Sequence, residues 1–275
     1  DPDVESTYVP PPETVASPLT GIQVSPDTAA RPVTAVMIEN SNEARPQAGL
    51  AEAGIVFEAI AEGGITRFLA LYQDSQPGNI GPIRSARPYY VEWAKGYDAN
   101  FVHSGGSPEA LALIPALGVK DLDHGRYGDR IADRVSTRFS PHNVFSSTSK
   151  IDALSNELGF TTSEFTGFTR KDDTPPTPEV PATASVINMN ISGFNYNTSY
   201  AYNAESNTYA RTMAGQPHTD ADSGAQITPK VVVALEMTYG IHPNGIHSVY
   251  GSIGSGNAII FQDGQRVNAT WRKAS

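Results

Sequence analysis

Asn100-Phe101-Val102-His103-Ser104-Gly105-Gly106-Ser107-Pro108 is the stretch whose reading decides the fold. Residues 100–102 read as a strand that runs into a polar, glycine-containing turn. Ser107 followed by Pro108 then opens a helix over 108–117. A serine hydroxyl accepts a free N–H of the first turn, and proline fits the first helical position because the N–H it lacks has no partner there. Strand, glycine turn and helix in this order indicate an α/β or α+β domain.

Outward from this stretch the alternation continues. Residues 33–38 read as a strand and Gly49-Leu50-Ala51-Glu52-Ala53 as a short helical turn. Strands 55–61 and 65–73 flank Gly63-Gly64, a two-residue hairpin signal. Pro88 sits well as the first residue of a helix through Tyr89, Trp93 and Ala94. After residue 183 the pattern changes to short strands rich in β-branched and aromatic residues, at 185–191, 199–203, 208–212, 230–237, 247–252, 258–262 and 266–271. Asp263-Gly264 is the best hairpin turn among them.

The expected fold class is therefore α+β. An N-terminal mixed α/β domain with a central sheet and hairpin (31–170) is followed by a mainly antiparallel β domain (184–275), which ends inside or just after a strand and is expected to be truncated. Residues 1–30 contain Pro2, Pro10, Pro11, Pro12, Pro18 and Pro26 and almost no apolar periodicity, so they are expected to be a proline-rich flexible leader. Pro175, Pro176, Pro178 and Pro181 mark an expected linker at 171–183.

Composition excludes several classes. The chain has 275 residues, 39% of them hydrophobic, with 19 Lys+Arg against 29 Asp+Glu for a net charge of −10. An acidic chain cannot displace phosphate counterions without a basic face, so nucleic acid is not an expected partner. With no cysteine there is no disulfide framework, thiolate nucleophile or Cys-ligated zinc. No run approaches the roughly 18 apolar residues of a membrane helix. The charge is uneven: residues 1–44 carry −6 and residues 45–143 only −1.

That second segment holds eight of the 13 arginines. Arg84 and Arg87 precede the helix at Pro88, where free N–H groups and bidentate guanidinium donors would favour an anion. If Gly63-Gly64 close the hairpin, Glu62 pairs with Ile65 and Glu58 with Leu69, so Arg67 stands diagonal to Glu58 on the same face. That placement predicts either a structural Glu58–Arg67 pair or a general base or ligand acceptor at Glu58 or Glu62. In the 103–107 turn the backbone of Gly105 and Gly106 could approach a ligand, with His103 beside it and Ser107 either capping the helix or touching the ligand. Arg130, Arg134 and Arg138 recur every four residues among Asp129 and Asp133, which predicts a solvated helical face. Just beyond, Ser140-Pro141-His142-Asn143 is a turn that could carry His142 and Asn143 into a site. The loop of His218, Asp220, Asp222 and Gly224 lacks the terminal Glu of an EF-hand, and His242 and His247 flank a turn, so neither a metal nor another cofactor is expected.

Several ordered motifs carry a resemblance: Glu39-Asn40, Ala44-Arg45-Pro46-Gln47-Ala48-Gly49-Leu50, Glu58, Glu62-Gly63-Gly64-Ile65-Thr66-Arg67-Phe68, Gly81-Pro82-Ile83-Arg84-Ser85-Ala86-Arg87-Pro88-Tyr89, His103-Ser104-Gly105-Gly106-Ser107 and Pro141-His142-Asn143. With these the chain resembles the YerB-type lipoprotein family of bacteria, which carries an N-terminal and a C-terminal domain of unknown function. Tyr209-Ala210-Arg211-Thr212, Gly215-Gln216-Pro217-His218 and Phe261-Gln262-Asp263-Gly264 look like its second domain. The resemblance implies an extracytoplasmic protein anchored to the outer face of the cytoplasmic membrane. The lipidated cysteine is absent, which makes the tether a segment outside this chain.

Three functions fit these residues. The first is a non-catalytic module that binds an anionic cell-wall component through Arg45, Arg67, Arg84, Arg87, His103, Gly105, Gly106, Ser107, His142 and Asn143. The second is a hydrolase or transferase acting on cell-wall polymers, with Glu58, Glu62, His103 and His142 as acid–base candidates. The third is a scaffold that binds an envelope protein partner. A carboxylate and a histidine sharing an open space would favour the enzyme. A Glu58 fully occupied by arginine would favour a scaffold.

Overall fold

The computed structural model describes residues 12–274. The strand Asn100–His103 belongs to a five-stranded sheet in the order Ile55–Glu62, Ile65–Tyr72, Thr34–Glu39, Asn100–His103, Lys120–Asp123. The first three strands run antiparallel and the last three parallel. Thr34–Glu39 lies at the centre and is buried along its whole length. Ala35 and Met37 join one core, Val36 and Ile38 the other, as a strand covered on both faces requires. Helices Pro88–Gly96 and Pro108–Ala116 bring Tyr90, Trp93 and Ile114 to the first core. Helix Thr148–Glu157 brings Ile151 and Leu154 to the second.

The local signals act as expected. Ser107 caps its helix, its hydroxyl accepting from the Ala110 N–H at 3.3 Å, and Pro108 is the first helical residue. Gly63 and Gly64 both take positive φ, 54° and 78°, as a two-residue hairpin turn demands. The hairpin register differs beyond the turn. Glu62 opposes Ile65, but a bulge at Ala61 sets Ile60 against Thr66, Ala59 against Arg67 and Glu58 against Phe68. One extra residue moves every later side chain to the opposite face, so Arg67 leaves Glu58 and the expected pair does not form.

The second domain is antiparallel β, with one sheet of Val186–Met189, Thr198–Asn203, Thr208–Met213 and Gln216–Pro217 and another of Val231–Leu235, Gly254–Gln262 and Gln265–Lys273. Ile187, Tyr200, Tyr209 and Val232 form its small core. Asp263 and Gly264 make the turn expected of them, at φ 51° and 68°.

Two expectations are corrected. Residues 15–30 are not a flexible leader: Val15–Ala16 pairs with Gln23–Val24, and Pro26–Ala29 forms a helical turn capped by Ser25. Leu19 is buried in the first core, and its N–H donates to Gln73 Oε1 at 3.2 Å. One well-placed leucine and a buried amide supply anchorage that leaves no periodic pattern. The leader reading of residues 1–11 falls outside the described residues. Arg130, Arg134 and Arg138 do not share a helix, because a short 3-10 turn Gly128–Arg130 gives way to a strand Asp133–Arg134 paired with Val144–Phe145. In the region expected to be a linker, Lys171 Nζ bonds Asp263, and the N–H groups of Thr183 and Ala184 donate to Gly264 O at 2.9 and 2.8 Å.

Candidate functional site

The fold spreads the candidate residues over four clusters. In the first, the bulge turns Arg67 toward Glu62, whose two carboxylate oxygens bond Arg67 and Arg87. Arg67 Nη1 also donates to Ser85 O at 2.8 Å. Burial pushes the Glu62 carboxyl up, but the two guanidinium groups outweigh it and hold the group below the ordinary carboxylate range. A carboxylate so stabilised in its charged form is a poor general base.

The second cluster occupies the 103–107 turn. His103 is fully buried, with Nε2 2.9 Å from Asp121 Oδ1 and Nδ1 2.8 Å from Gly105 O. Gly105 needs its glycine, at φ 66°, and donates its N–H to Asp123 Oδ1 at 2.8 Å. Its carbonyl also accepts from Ala86 N–H, and Gly106 forms a bridge with Ala86. The backbone expected to face a ligand is thus engaged within the protein. Arg84 and Arg87 do not converge on it: Arg84 Nε lies 3.1 Å from Glu39 Oε2, while Arg87 turns to Glu62.

The third cluster lies between the domains. Glu58 accepts from Thr66 Oγ1 at 2.8 Å and Asn40 Nδ2 at 3.3 Å on one oxygen, and from Arg211 Nη2 at 2.8 Å on the other. Arg211 Nε donates to His218 Nδ1 at 3.0 Å, and His218 Nε2 faces Gln47 Oε1 at 2.9 Å. This arrangement fixes a neutral ring that carries its proton on Nε2. Burial, with the Arg211 and Arg45 charges, drives the His218 pKa down to about 2. Gln47 Nε2 donates to Asn40 Oδ1 at 2.9 Å, and Arg45 Nε to the same oxygen at 3.0 Å. Arg45 also lies over the Tyr196 ring of the second domain, 5.2 Å from its centroid.

Arg45 connects this network to the fourth cluster, an open cavity of about 450 Å³ lined by Glu43, Arg45, Thr137, Arg138, Phe139, Ser140 and His142. Behind it Glu39, only 4% exposed, accepts from His142 Nδ1 at 2.9 Å and from Ser41 Oγ at 2.9 Å. Held this way, His142 has no partner for Nε2 among the described residues. Arg138 donates to Ala44 O and Pro46 O at 2.8 and 2.6 Å. Asn143, adjacent in sequence, is used elsewhere: its Oδ1 accepts from Arg134 at 2.9 Å.

Of the expected site residues, only Arg45 and His142 line one open space. Glu39, Ser41, Gln47, Arg138 and Arg211 join these clusters although their spacing and residue pattern predict no site role for them. Glu39, Gln47 and Arg211 lie within motifs of the family resemblance, which is the one signal for them. Among the described residues no group of three or more His, Cys, Asp or Glu is arranged to hold a metal ion, and no helix is long and apolar enough to cross a membrane.

A mixed-sheet domain joined to an antiparallel β domain through the buried Arg211–Glu58 pair, with a charged cavity beside Arg45, defines a two-domain α+β class. The chain belongs to the DUF3048 family: the domain described as "Protein of unknown function (DUF3048) N-terminal domain" matches residues 19–161, and the C-terminal domain of that family matches 187–275. The chain is 29% identical over 263 residues to "Putative lipoprotein YerB" of Bacillus subtilis (strain 168), covering 94% of this chain and 78% of that protein. The crystal structure of YerB from Bacillus subtilis matches with a TM-score of 0.83 at 28% identity, over 94% of this chain and 88% of that one. The resemblance and the two-domain α+β fold expected from the sequence are both borne out.

Proposed function

We propose that this protein is an exported bacterial envelope protein, tethered to the outer face of the cytoplasmic membrane, that binds an anionic group without transforming it. The observation that carries this reading is the convergence of Arg45, Arg138 and His142 on the open cavity, while Glu58 is held by Arg211, Thr66 and Asn40 and Glu62 by two arginines. A concave site with few, fixed polar groups is the usual form of a small-ligand site. The lipoprotein name of the Bacillus relative supports the envelope location. Its anionic glycopolymers and peptidoglycan carboxylates are the ligand class, and an envelope protein presenting such a group is the corresponding partner. Calorimetric titration of anionic cell-wall fragments into wild type, Arg45→Gln and Arg84→Ala/Arg87→Ala separates the clusters. Loss with Arg45→Gln alone supports the cavity; equal binding by all three proteins rejects the arginine assignment.

A second reading is favoured by the cavity itself, where the Glu43 carboxylate and His142 share the open space expected of an enzyme. Glu39 fixes the Nδ1 side of His142 and leaves Nε2 without a partner among the described residues, the geometry of an oriented general base in a hydrolase or transferase. Incubating wild type and His142→Ala with the same polymers and assaying released reducing ends and phosphate decides it. Turnover that disappears in the variant establishes the enzyme, and its absence in wild type leaves the binding reading.

A further inference from the structure

We propose that the cavity accepts an acidic saccharide, a pyranose bearing a carboxylate or phosphate group, with the Phe139 ring as the platform for the sugar and Arg45 and His142 as the donors to its acid. This rests on the anion-binding reading above and specifies its ligand. Phe139 lines the cavity and is 91% exposed, so its ring packs against almost nothing of its own chain. The backbone that presents it is nevertheless fixed. The His142 N–H donates to Phe139 O at 2.9 Å, closing one turn with the ring and the imidazole at its two ends. Val135 N–H donates to Asn143 O at 2.8 Å at the base of the loop, and Arg138 pins it to Ala44 O and Pro46 O.

The chemistry of the lining selects the ligand class. Arg45 uses Nε and Nη2 on Asn40 and has no partner for Nη1 among the described residues, and His142 Nε2 is likewise unpartnered. These two atoms suit an acid group. A bare inorganic anion gains nothing from an aromatic ring and is repelled by Glu43 on the same wall. A pyranose uses all of these features. Its C–H face stacks on the ring, its hydroxyls meet Glu43, Thr137 and Ser140, and its acid meets the cations. The volume of about 450 Å³ suits a ligand of one or two sugar units.

The test is a titration of wild type and Phe139→Ala, followed by NMR, with glucuronate, glucose 6-phosphate, glucose and inorganic phosphate. One or both acidic sugars are expected to bind about tenfold more tightly than glucose or phosphate, and Phe139→Ala to remove about that factor while leaving phosphate binding unchanged. The melting temperature of this exposed-site variant should match wild type, so a loss reads as lost stacking. The inference is overturned if phosphate binds as tightly as both acidic sugars, or if Phe139→Ala leaves sugar binding unchanged; anion binding then stands alone. If none of the four probes binds wild type, the anion-binding reading falls with it.

Discussion

Arg211 of the β domain donates Nη2 to Glu58 Oε2 of the mixed-sheet domain at 2.8 Å, and the two side chains are only 8% and 9% exposed. The pair is surrounded by Tyr200, His218, Thr66 and Asn40, so each charge keeps hydrogen-bond partners after leaving water. Such a pair adds little net stability over an apolar replacement, but it penalises any arrangement of the two domains that separates its members.

Removing one member strands the other. Glu58→Gln and Arg211→Met are each expected to destabilise the protein by about 3–5 kcal/mol, and the double variant by clearly less than their sum. Urea denaturation of the four proteins measures this. Additive losses below about 1 kcal/mol would show that the pair does not hold the domains together.

His218 makes stability fall on acidification. Its folded pKa lies near 2, below the ordinary histidine value of 6.5, so between these limits the unfolded chain takes up a proton that the folded one refuses. Stability is therefore complete above pH 6.5 and falls by about 1.4 kcal/mol per pH unit below it. His218→Gln should flatten the profile between pH 6.5 and 5 by that slope. Parallel profiles would count against a neutral buried ring.

Glu62 neutralises two buried arginines, so Glu62→Ala is expected to cost about 3–5 kcal/mol. Asp133 is exposed and its partner Lys150 is only partly buried, so Asp133→Ala should cost no more than about 1 kcal/mol. Thermal melts of the two variants side by side test whether burial, rather than the ion pair as such, sets the size of the loss.

Leu19 tests the correction to the leader. If residues 15–30 are an integral part of the first core, Leu19→Ala costs about 2–5 kcal/mol, the usual price of a buried leucine cavity. A loss within about 0.5 kcal/mol, read by urea denaturation, would return the segment to the surface.

Much of the fold was legible because its signals are local. Ser107-Pro108, Gly63-Gly64 and Asp263-Gly264 each act through a hydroxyl or a positive φ within a few residues, and each did what its sequence requires. The Arg130, Arg134 and Arg138 spacing misled because periodicity in charged residues reports only a surface, whereas Ile131, Ala132 and Val144 draw that segment into the core as turn and strand. Of the site, His142 was legible as a turn-borne histidine and Arg45 as one of the first domain's arginines. Glu39 was hidden inside an apolar strand, and Arg138 inside the false helix.

By itself the sequence determined the two domains' secondary-structure classes, the hairpin and helix ends, the acidity of residues 1–44 and the arginine-rich first domain. Tertiary structure alone decided who partners whom. A single bulged residue at Ala61 moved Arg67 from Glu58 to Glu62, and Glu58 then found an arginine 153 positions away. Caps and turns are decided by bonds within one or two peptide units. A buried charge is decided by whichever opposite charge the packed cores bring within about 3 Å, and spacing along the chain carries no record of that distance.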